Sequence, residues 1–251
     1  MKKQKFLFIP FVLSLGIGLY SCNFGNGGNT QTFQNTVAVV DYRVDMGGPV
    51  MSTLWGVLAA PSLTDVNAGD CIYLYQFYID YDNQPSSQFW TATGIIKEDV
   101  DQKSITITSD TITLGDYTLP ISSITTVLAN EFFQGRIFTG INCKDKNPTF
   151  RLLVNPDEKG TGQIKNFYLQ AKPSSTTENS SDVAAVQAFN LLYYIQQYGR
   201  DTTRTISGSS DQVNFKYIKA NLKYVSGVTD GTPTYSTVSN TSSPMEIYLF
   251  Q

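Results

Sequence analysis

Residues capable of acid–base or nucleophilic chemistry are few in this chain, because the 251-residue sequence contains no histidine. Histidine is the usual general base, the usual activator of a serine or cysteine nucleophile and the commonest transition-metal ligand. The sequence also lacks the Ser-x-x-Lys and Gly-x-Ser-x-Gly patterns that are typical of serine hydrolases. Carboxylate chemistry remains, and we expect no catalytic residue, no metal ligand and no cofactor.

Two groups of acidic residues could gather a cation or act as an acid and base pair. Asp80 and Asp82 alternate as at the start of a calcium loop, but a proline stands where such a loop needs glycine. Glu98, Asp99 and Asp101 lie in a stretch that we expect to connect two strands, where acidic side chains are usually solvated. We interpret both groups as polar surface.

The N-terminal residues have the organisation of an export signal. Three lysines open the chain, an apolar stretch fills residues 6–19, and Ser21 places a small side chain before Cys22. This end resembles the bacterial lipobox, and the resemblance implies cleavage of a signal peptide at 1–21 and acylation of Cys22 with fatty acids such as palmitate. We therefore expect a protein anchored in the outer membrane through the lipid on Cys22, on the periplasmic face or at the cell surface.

The composition limits the classes of partner. The formal net charge of the chain is −3 at pH 7 even with the lysines of the signal included. Nucleic-acid binding draws its affinity from clustered Lys and Arg, which the sequence after the signal lacks, so nucleic acid is not an expected partner. Aromatic residues make up 13% of the chain and charged residues 16%, which favours a packed fold over disorder.

Short runs of β-branched and aromatic residues, separated by turn residues, predict a mainly β protein. Residues 22–35 are rich in Asn, Gly, Gln and Thr and predict a flexible tether. A barrel-like domain is expected over 36–118, and the strand at 71–82 is its clearest element. Alternate residues give that strand one wholly apolar or aromatic face, made of Cys71, Tyr73, Tyr75, Phe77, Ile79 and Tyr81.

A second β-rich, sandwich-like unit is expected over 119–251, with one embedded helix near 183–198. Ser181 or Asp182 is a suitable N-cap for this helix, and Gly199 is a suitable stop. The apolar residues between them recur with a helical period and form a wide arc. The helix is therefore expected to pack against a sheet over most of its surface.

The N-terminal part resembles the NigD-like lipoproteins of Bacteroidota, whose first domain is similar to an OB fold. Residues 36–60 resemble the first hairpin of that domain, and Ala68-Gly69-Asp70 precedes the long apolar strand as at the entry to a barrel strand. The resemblance implies a small OB-like barrel followed by a second β unit in an envelope lipoprotein.

Trp55, Tyr78 and Trp90 are the candidate ligand-binding residues of the barrel. Exposed Trp and Tyr offer flat apolar faces with a polar edge, which suit stacking on sugar rings, and OB-like barrels bind oligosaccharides. The alternative is that aromatic side chains at alternate strand positions fill the barrel. We expect that alternative for the face that contains Tyr73 and Tyr75.

Two pairs of residues could be modified covalently. Cys71 and Cys143 are the thiols that remain when Cys22 carries lipid. Such a pair in an exported protein can form a disulfide, or it can be two small buried side chains, and we expect the reduced state. Thr111 and Thr202 each follow an aspartate in a short pattern that resembles the O-glycosylation sites of Bacteroidota.

Three functional hypotheses follow from these observations. The leading one is a non-enzymatic, lipid-anchored envelope protein that binds or scaffolds a partner, either a glycan or another envelope protein, through its β units. The second is a carbohydrate-binding lipoprotein that uses exposed aromatic residues. The third is a hydrolase that uses only Asp and Glu.

Overall fold

A computed structural model describes residues 29–86, 89–158, 163–174, 181–205, 212–238 and 244–250. The predicted signal peptide 1–21 and Cys22 lie outside the described residues. The described part contains sixteen strands and one α-helix, so the prediction of a mainly β fold is confirmed. The first five strands are β1 Thr30–Arg43, β2 Gly48–Thr53, β3 Gly56–Ala59, β4 Cys71–Asp80 and β5 Ala92–Val100.

The remaining elements follow in a second unit. They are β6 Gln102–Ser104, β7 Thr106–Ile107, β8 Ile121–Leu128, β9 Arg136–Cys143, β10 Thr149–Val154, β11 Ile164–Lys172, β12 Val183–Asn190, the helix α1 Leu192–Tyr198, β13 Arg200–Thr205, β14 Gln212–Thr229, β15 Thr232–Thr237 and β16 Met245–Phe250. Two single turns of 3₁₀ helix lie at Val44–Met46 and Glu131–Phe133.

The first unit is a five-stranded barrel with the strand order β3-β2-β1-β4-β5. Its ladders are antiparallel. A parallel bridge between Ala59 and Thr91 joins the end of β3 to the start of β5. This bridge closes the sheet on itself, which is the arrangement of an OB-type barrel.

Strand β1 begins inside the segment that the sequence predicts as a tether. Residues 30–34 pair with residues 76–80 of β4, so their backbone groups are satisfied by a neighbouring strand. Phe33 is the single apolar residue of this stretch, which is why its composition does not reveal a strand. The prediction of a flexible tether over 22–35 is thus corrected from residue 30 onward.

The aromatic face predicted for β4 changes sides at the middle of the strand. Tyr73 faces the second unit, whereas Phe77 joins Leu74 in the barrel interior. The register between β4 and β5 is irregular in this interval, and Asn35, which lies opposite it on β1, has a left-handed φ of 52°. Irregularities of this kind shift the alternation of side chains between the two faces of a strand by one residue. Strict alternation therefore predicts the wrong face for the second half of β4.

The second unit encloses one core between two sheets. The larger sheet has the order β13-β14-β11-β10-β7, with β15 and β16 also paired to β14, and the smaller has the order β6-β12-β9-β8. Phe189 of β12 packs in this core with Phe167 of β11. Because β6 and β7 belong to these sheets, the barrel ends at Val100, and the domain boundary predicted at 118 moves to this point.

The helix predicted over 183–198 is only half as long in the structure. Val183–Asn190 forms β12, which pairs along its whole length with Arg136–Cys143 of β9. Strand β12 completes the smaller sheet between β9 and β6. Pairing with these strands overrides the helical preference of an alanine-rich segment. The helix α1 begins only at Leu192, whose amide donates to the side chain of Asn190 over 2.9 Å.

The barrel and the second unit share a third, smaller core. Val39 and Tyr73 of the barrel pack there with Phe133, Phe138 and Ala188 of the second unit. These side chains are buried where residues of both units meet, so the two units pack as neighbours through an apolar contact. Among the described residues, no helix is both long and apolar enough to cross a membrane.

Candidate functional site

Five aromatic side chains form two groups of contacting rings in the barrel, Phe33 with Trp55 and Phe77 in one and Tyr81 with Trp90 in the other, and we call the five together the aromatic opening. Phe33 of β1 and Phe77 of β4 are directly opposite each other in the ladder. Their rings stack with centroids 4.8 Å apart and planes 5° from parallel. Phe77 is fully buried and Phe33 is half-buried, so the pair forms the floor of the opening.

Trp55 covers this floor from the turn between β2 and β3. Its backbone amide donates to the hydroxyl of Thr53 over 3.1 Å, and that hydroxyl donates to the carbonyl of Gly56 over 3.1 Å. The indole lies 4.8 Å from the ring of Phe33, between ring centroids, and is tilted by 57°. Trp55 is nevertheless 53% exposed, because only one side of it meets the barrel.

Trp90 lies at the end of the β4–β5 connection. Its carbonyl accepts from the amide of Ala59 over 2.9 Å, which ties this position to β3. Its ring meets Tyr81 edge to face at 4.8 Å, and the Tyr81 hydroxyl donates to the side-chain oxygen of Gln31 over 2.8 Å. With 48% of its surface exposed, Trp90 presents an indole that is oriented by its neighbours and open to solvent.

Tyr78 does not join this group. It alternates with Phe77 and Ile79, which face the barrel interior, so its side chain lies on the outer surface of β4. The ring lies over Gly94 of β5, where a Cβ would come within 2.5 Å of it. Gln76 donates to the Tyr78 hydroxyl. Of the three aromatic residues predicted for ligand binding, the structure places Trp55 and Trp90 at the opening and Tyr78 elsewhere.

The outer face of β2 and β3, where OB folds commonly bind ligands, is covered in this barrel. Val50 of β2 and Ala59 of β3 are buried there beneath Met46, which comes from the β1–β2 connection. Phe89 from the β4–β5 connection and Val57 pack against the same cluster. The barrel therefore exposes its aromatic surface at the opening rather than on this face.

The two thiols lie in different cores and are not bonded to each other. Cys71 belongs to the core between the units, and Cys143 belongs to the core of the second unit. Burial raises the pKa of the Cys71 thiol to about 12 and that of the Cys143 thiol to about 11. The disulfide that the sequence left open is thus absent from the structure, because the two strands bury their cysteines in separate places.

The candidate O-glycosylation sites have different settings. Thr111 is exposed in the irregular connection between β7 and β8, whereas Thr202 is half-buried in β13, opposite Phe215 of β14. Modification of either threonine stays a prediction.

The acidic residues singled out from the sequence are each engaged separately. Glu98 accepts a hydrogen bond from the Tyr75 hydroxyl, and Asp99 and Asp101 pair with their neighbours Lys97 and Lys103 at 2.7 and 3.0 Å. Glu98 and Asp99 lie within β5, not in a connecting turn. The described residues contain no group of three or more side chains placed to hold a metal ion.

Comparison with a family model identifies the first unit. Residues 28–95 match the model of the family described as "Lipoprotein OB domain". This range covers the barrel up to the middle of β5 and includes the whole aromatic opening. The expectation of an OB-type lipoprotein domain at the N-terminus is confirmed by this match. A search among curated proteins finds no match.

Solved structures with a similar fold come from species of Bacteroides and Parabacteroides. An uncharacterised protein of Parabacteroides merdae is 15% identical, with a TM-score of 0.60, over 87% of this chain and 99% of its own. A protein of Bacteroides fragilis named as a candidate lipoprotein is 17% identical, with a TM-score of 0.52, over 85% of this chain and 100% of its own. A NigD-like immunity protein of Bacteroides caccae is 14% identical, with a TM-score of 0.47, over 84% and 93%. The first two show that both units together form a recurrent fold.

Proposed function

We propose, from the lipoprotein OB domain at residues 28–95, that this protein is a lipid-anchored, non-enzymatic binding protein of the outer membrane. Cys22 carries the lipid, and the barrel binds a partner in the envelope through the aromatic opening. Two or three acyl chains on one cysteine hold a protein stably at a membrane, since each buried methylene contributes about 0.8 kcal/mol.

The observation that carries this proposal is the exposure of both tryptophans of the barrel. Trp55 is 53% exposed and Trp90 48%, although each has an aromatic partner that fixes its orientation. Large aromatic side chains that remain open to solvent on a rigid scaffold are typical of binding surfaces. Because the rings are already held in place, little side-chain entropy is lost when a partner binds.

A carbohydrate is the second candidate for the partner. A tryptophan face stacks on the apolar face of a sugar ring, and polar side chains at the rim bind its hydroxyls. Gln31 lies beside these rings, where its side-chain oxygen accepts from the Tyr81 hydroxyl over 2.8 Å. Gln84 also lies near Trp90, since its side-chain oxygen accepts from the amide of Thr91 over 2.6 Å.

A glycan array with the full-length protein separates the carbohydrate hypothesis from binding of an envelope protein. Trp90→Ala and Trp55→Ala should each lower the binding of any glycan that the array selects, with little change in melting temperature. Ile96→Ala is the matched control, because Ile96 is 55% exposed on the outer surface of the same barrel. Glycan binding that is lowered by Ile96→Ala and unchanged by both tryptophan substitutions would contradict the proposed binding surface.

The anchor has its own test. Cys22→Ser should prevent lipidation, and the mature chain joined to an export signal for unlipidated proteins should be released from the membrane. If that unlipidated protein stays with the outer membrane after a wash at high salt, a feature other than the lipid holds it there.

The third hypothesis, a hydrolase that uses only Asp and Glu, has a different test. Turnover of a polysaccharide that disappears in Glu98→Gln would support the hydrolase and contradict the non-enzymatic proposal.

A further inference from the structure

A cavity of about 160 Å³ opens in the second unit, far along the chain from the aromatic opening. It lies where the strand that neighbours β14 in the larger sheet changes from β13 to β11. On one edge of β14, β13 pairs up to Tyr217, and β11 pairs from Lys219 onward. Strand β16 occupies the other edge of the same stretch. Ile218 is thus at the step between two neighbouring strands, and the helix α1 leads directly into β13 beside it.

Three stretches of the chain line this cavity. They contribute Gln163, Lys165, Tyr194, Tyr198, Arg200, Tyr217, Ile218 and Lys219. The lining therefore combines three cationic side chains with three tyrosines. Tyrosine rings supply flat walls, and the cations supply a positive field that a concave surface strengthens.

The positive charge of the cavity is only partly neutralised. Lys219 forms an ion pair with Glu246 over 3.1 Å, and Glu246 also accepts from the Tyr248 hydroxyl. Lys165 donates to the carbonyl of Pro156. Among the described residues, no carboxylate forms an ion pair with Lys165 or Arg200, so no salt bridge neutralises these two cations, although the carboxylate of Asp157 is near enough to help raise the pKa of Tyr194.

Tyr194 is the second, independent sign of a ligand. Its side chain is completely buried, packed against Phe167 and Tyr198 at centroid distances of 5.4 and 4.8 Å. Its hydroxyl has no hydrogen-bond partner among the described residues. A buried hydroxyl without a partner is costly and needs an explanation. Burial raises the pKa of Tyr194 to about 12, which keeps the hydroxyl protonated as a donor at neutral pH.

We propose that this cavity binds the oxyanion, carboxylate or phosphate, of a small ligand. Arg200 and Lys165 supply the charge, the Tyr194 hydroxyl donates the hydrogen bond for which it has no other partner, and Tyr198 and Tyr217 flank the ligand. The volume is below the roughly 300–1,000 Å³ of pockets for drug-sized molecules, so the ligand is about the size of one sugar acid or smaller. This site is separate from the aromatic opening and does not depend on it.

Calorimetric titration of the full-length protein in detergent tests the site with three probes. Sodium glucuronate offers a carboxylate, inorganic phosphate offers a phosphate, and glucose is the neutral match of glucuronate. We expect at least one of the two anions to bind and glucose not to bind, with an affinity that falls as salt is added. The anion that binds with the higher affinity identifies the oxyanion that the cavity prefers.

Three variants separate a binding role from a structural one. Arg200→Gln should lower the affinity for the anion about tenfold or more, because a hydrogen bond to a charged group is lost. Tyr194→Phe should weaken anion binding about fivefold to tenfold without lowering the melting temperature, since the hydroxyl removed has no partner in the part of the chain that the structure describes. Lys172→Gln, at the far end of β11 and paired with Asp116, should bind the anion as the native protein does.

Two results would overturn the proposal. One is that neither glucuronate nor phosphate binds, or that glucose binds as tightly as glucuronate. The other is that an anion binds but its affinity is unchanged in both Arg200→Gln and Tyr194→Phe. Loss of anion binding in these variants with intact binding at the aromatic opening would show that the two sites are independent.

Discussion

Arg136 Nε donates to the side-chain oxygen of Gln102 over 2.8 Å, and that oxygen also accepts from the thiol of Cys71 over 3.2 Å. Arg136 and Gln102 belong to the second unit, whereas Cys71 belongs to the barrel. A second guanidinium nitrogen of Arg136 lies against Gly69, where a Cβ would come within 3.1 Å of it. A buried polar contact therefore lies beside the apolar core between the two units.

Removal of Arg136 should weaken the whole protein. Arg136 is 7% exposed, and Arg136→Ala leaves a cavity and deprives Gln102 of its charged donor. We expect the free energy of unfolding to fall by about 2–4 kcal/mol, measured by urea denaturation. Arg43→Ala is the control, because the Arg43–Asp45 pair lies at the surface. Equal effects of the two substitutions would show that the junction contributes no special stability.

The thiols should be inert in the native protein. Because burial raises the pKa of Cys71 to about 12 and that of Cys143 to about 11, neither forms thiolate at neutral pH. Intact mass after alkylation without reductant should show no adduct on a Cys22→Ser protein in native buffer and two adducts in denaturant. No adduct in denaturant would mean that the two cysteines form a disulfide after all.

The sequence predicted the barrel, because turn residues and alternating apolar residues are local signals, and it offered Trp55, Tyr78 and Trp90 as candidate binding residues without deciding whether they are exposed. It could not predict the change of face in β4, which depends on the backbone of Asn35 in another strand. It also misplaced the helix, because an Ala-rich segment such as Val183–Asn190 satisfies a helical pattern and a strand equally, and pairing with β9 decides between them.

The anion cavity was invisible to sequence analysis for a related reason. Lys165, Arg200 and Lys219 are far apart in the chain, and none belongs to a cluster of basic residues. They meet because β11 and β13 follow each other along one edge of β14. The lone hydroxyl of Tyr194 has no sequence signal at all, since a tyrosine in an apolar segment is indistinguishable from an ordinary core residue.

Gly199 should be intolerant of a side chain. It joins α1 to β13, and its amide donates to the carbonyl of Ile195 over 2.8 Å. A Cβ at this position would lie 2.3 Å from that carbonyl oxygen. Gly199→Ala should therefore cost about 1–3 kcal/mol in thermal or urea unfolding. Gly227→Ala, whose Cβ would meet nothing closer than 3.9 Å, should cost less, and the opposite order would contradict this geometry.

Stability should depend on pH through Glu246. The hydrogen bond from Tyr248, and then the ion pair with Lys219, lower the pKa of Glu246 from its usual 4.5. A lowered pKa in the folded state gives stability that is present above the unfolded pKa and is lost as the pH falls through the folded pKa. Glu246→Gln should thus be less stable than the native protein at neutral pH, and the difference should shrink in acid. A difference that stays constant with pH would show that the charge of Glu246 does not contribute.

Tryptophan emission during ligand titration tests the proposed binding surface most directly, because the chain has only two tryptophans and both lie at the aromatic opening. A glycan selected on the array should change the emission saturably, with the same midpoint as calorimetric titration. Trp90→Phe and Trp55→Phe should each reduce the change, whereas Arg200→Gln should not. A glycan that binds by calorimetry and leaves the emission unchanged would place the site elsewhere and contradict the proposed role of the aromatic opening.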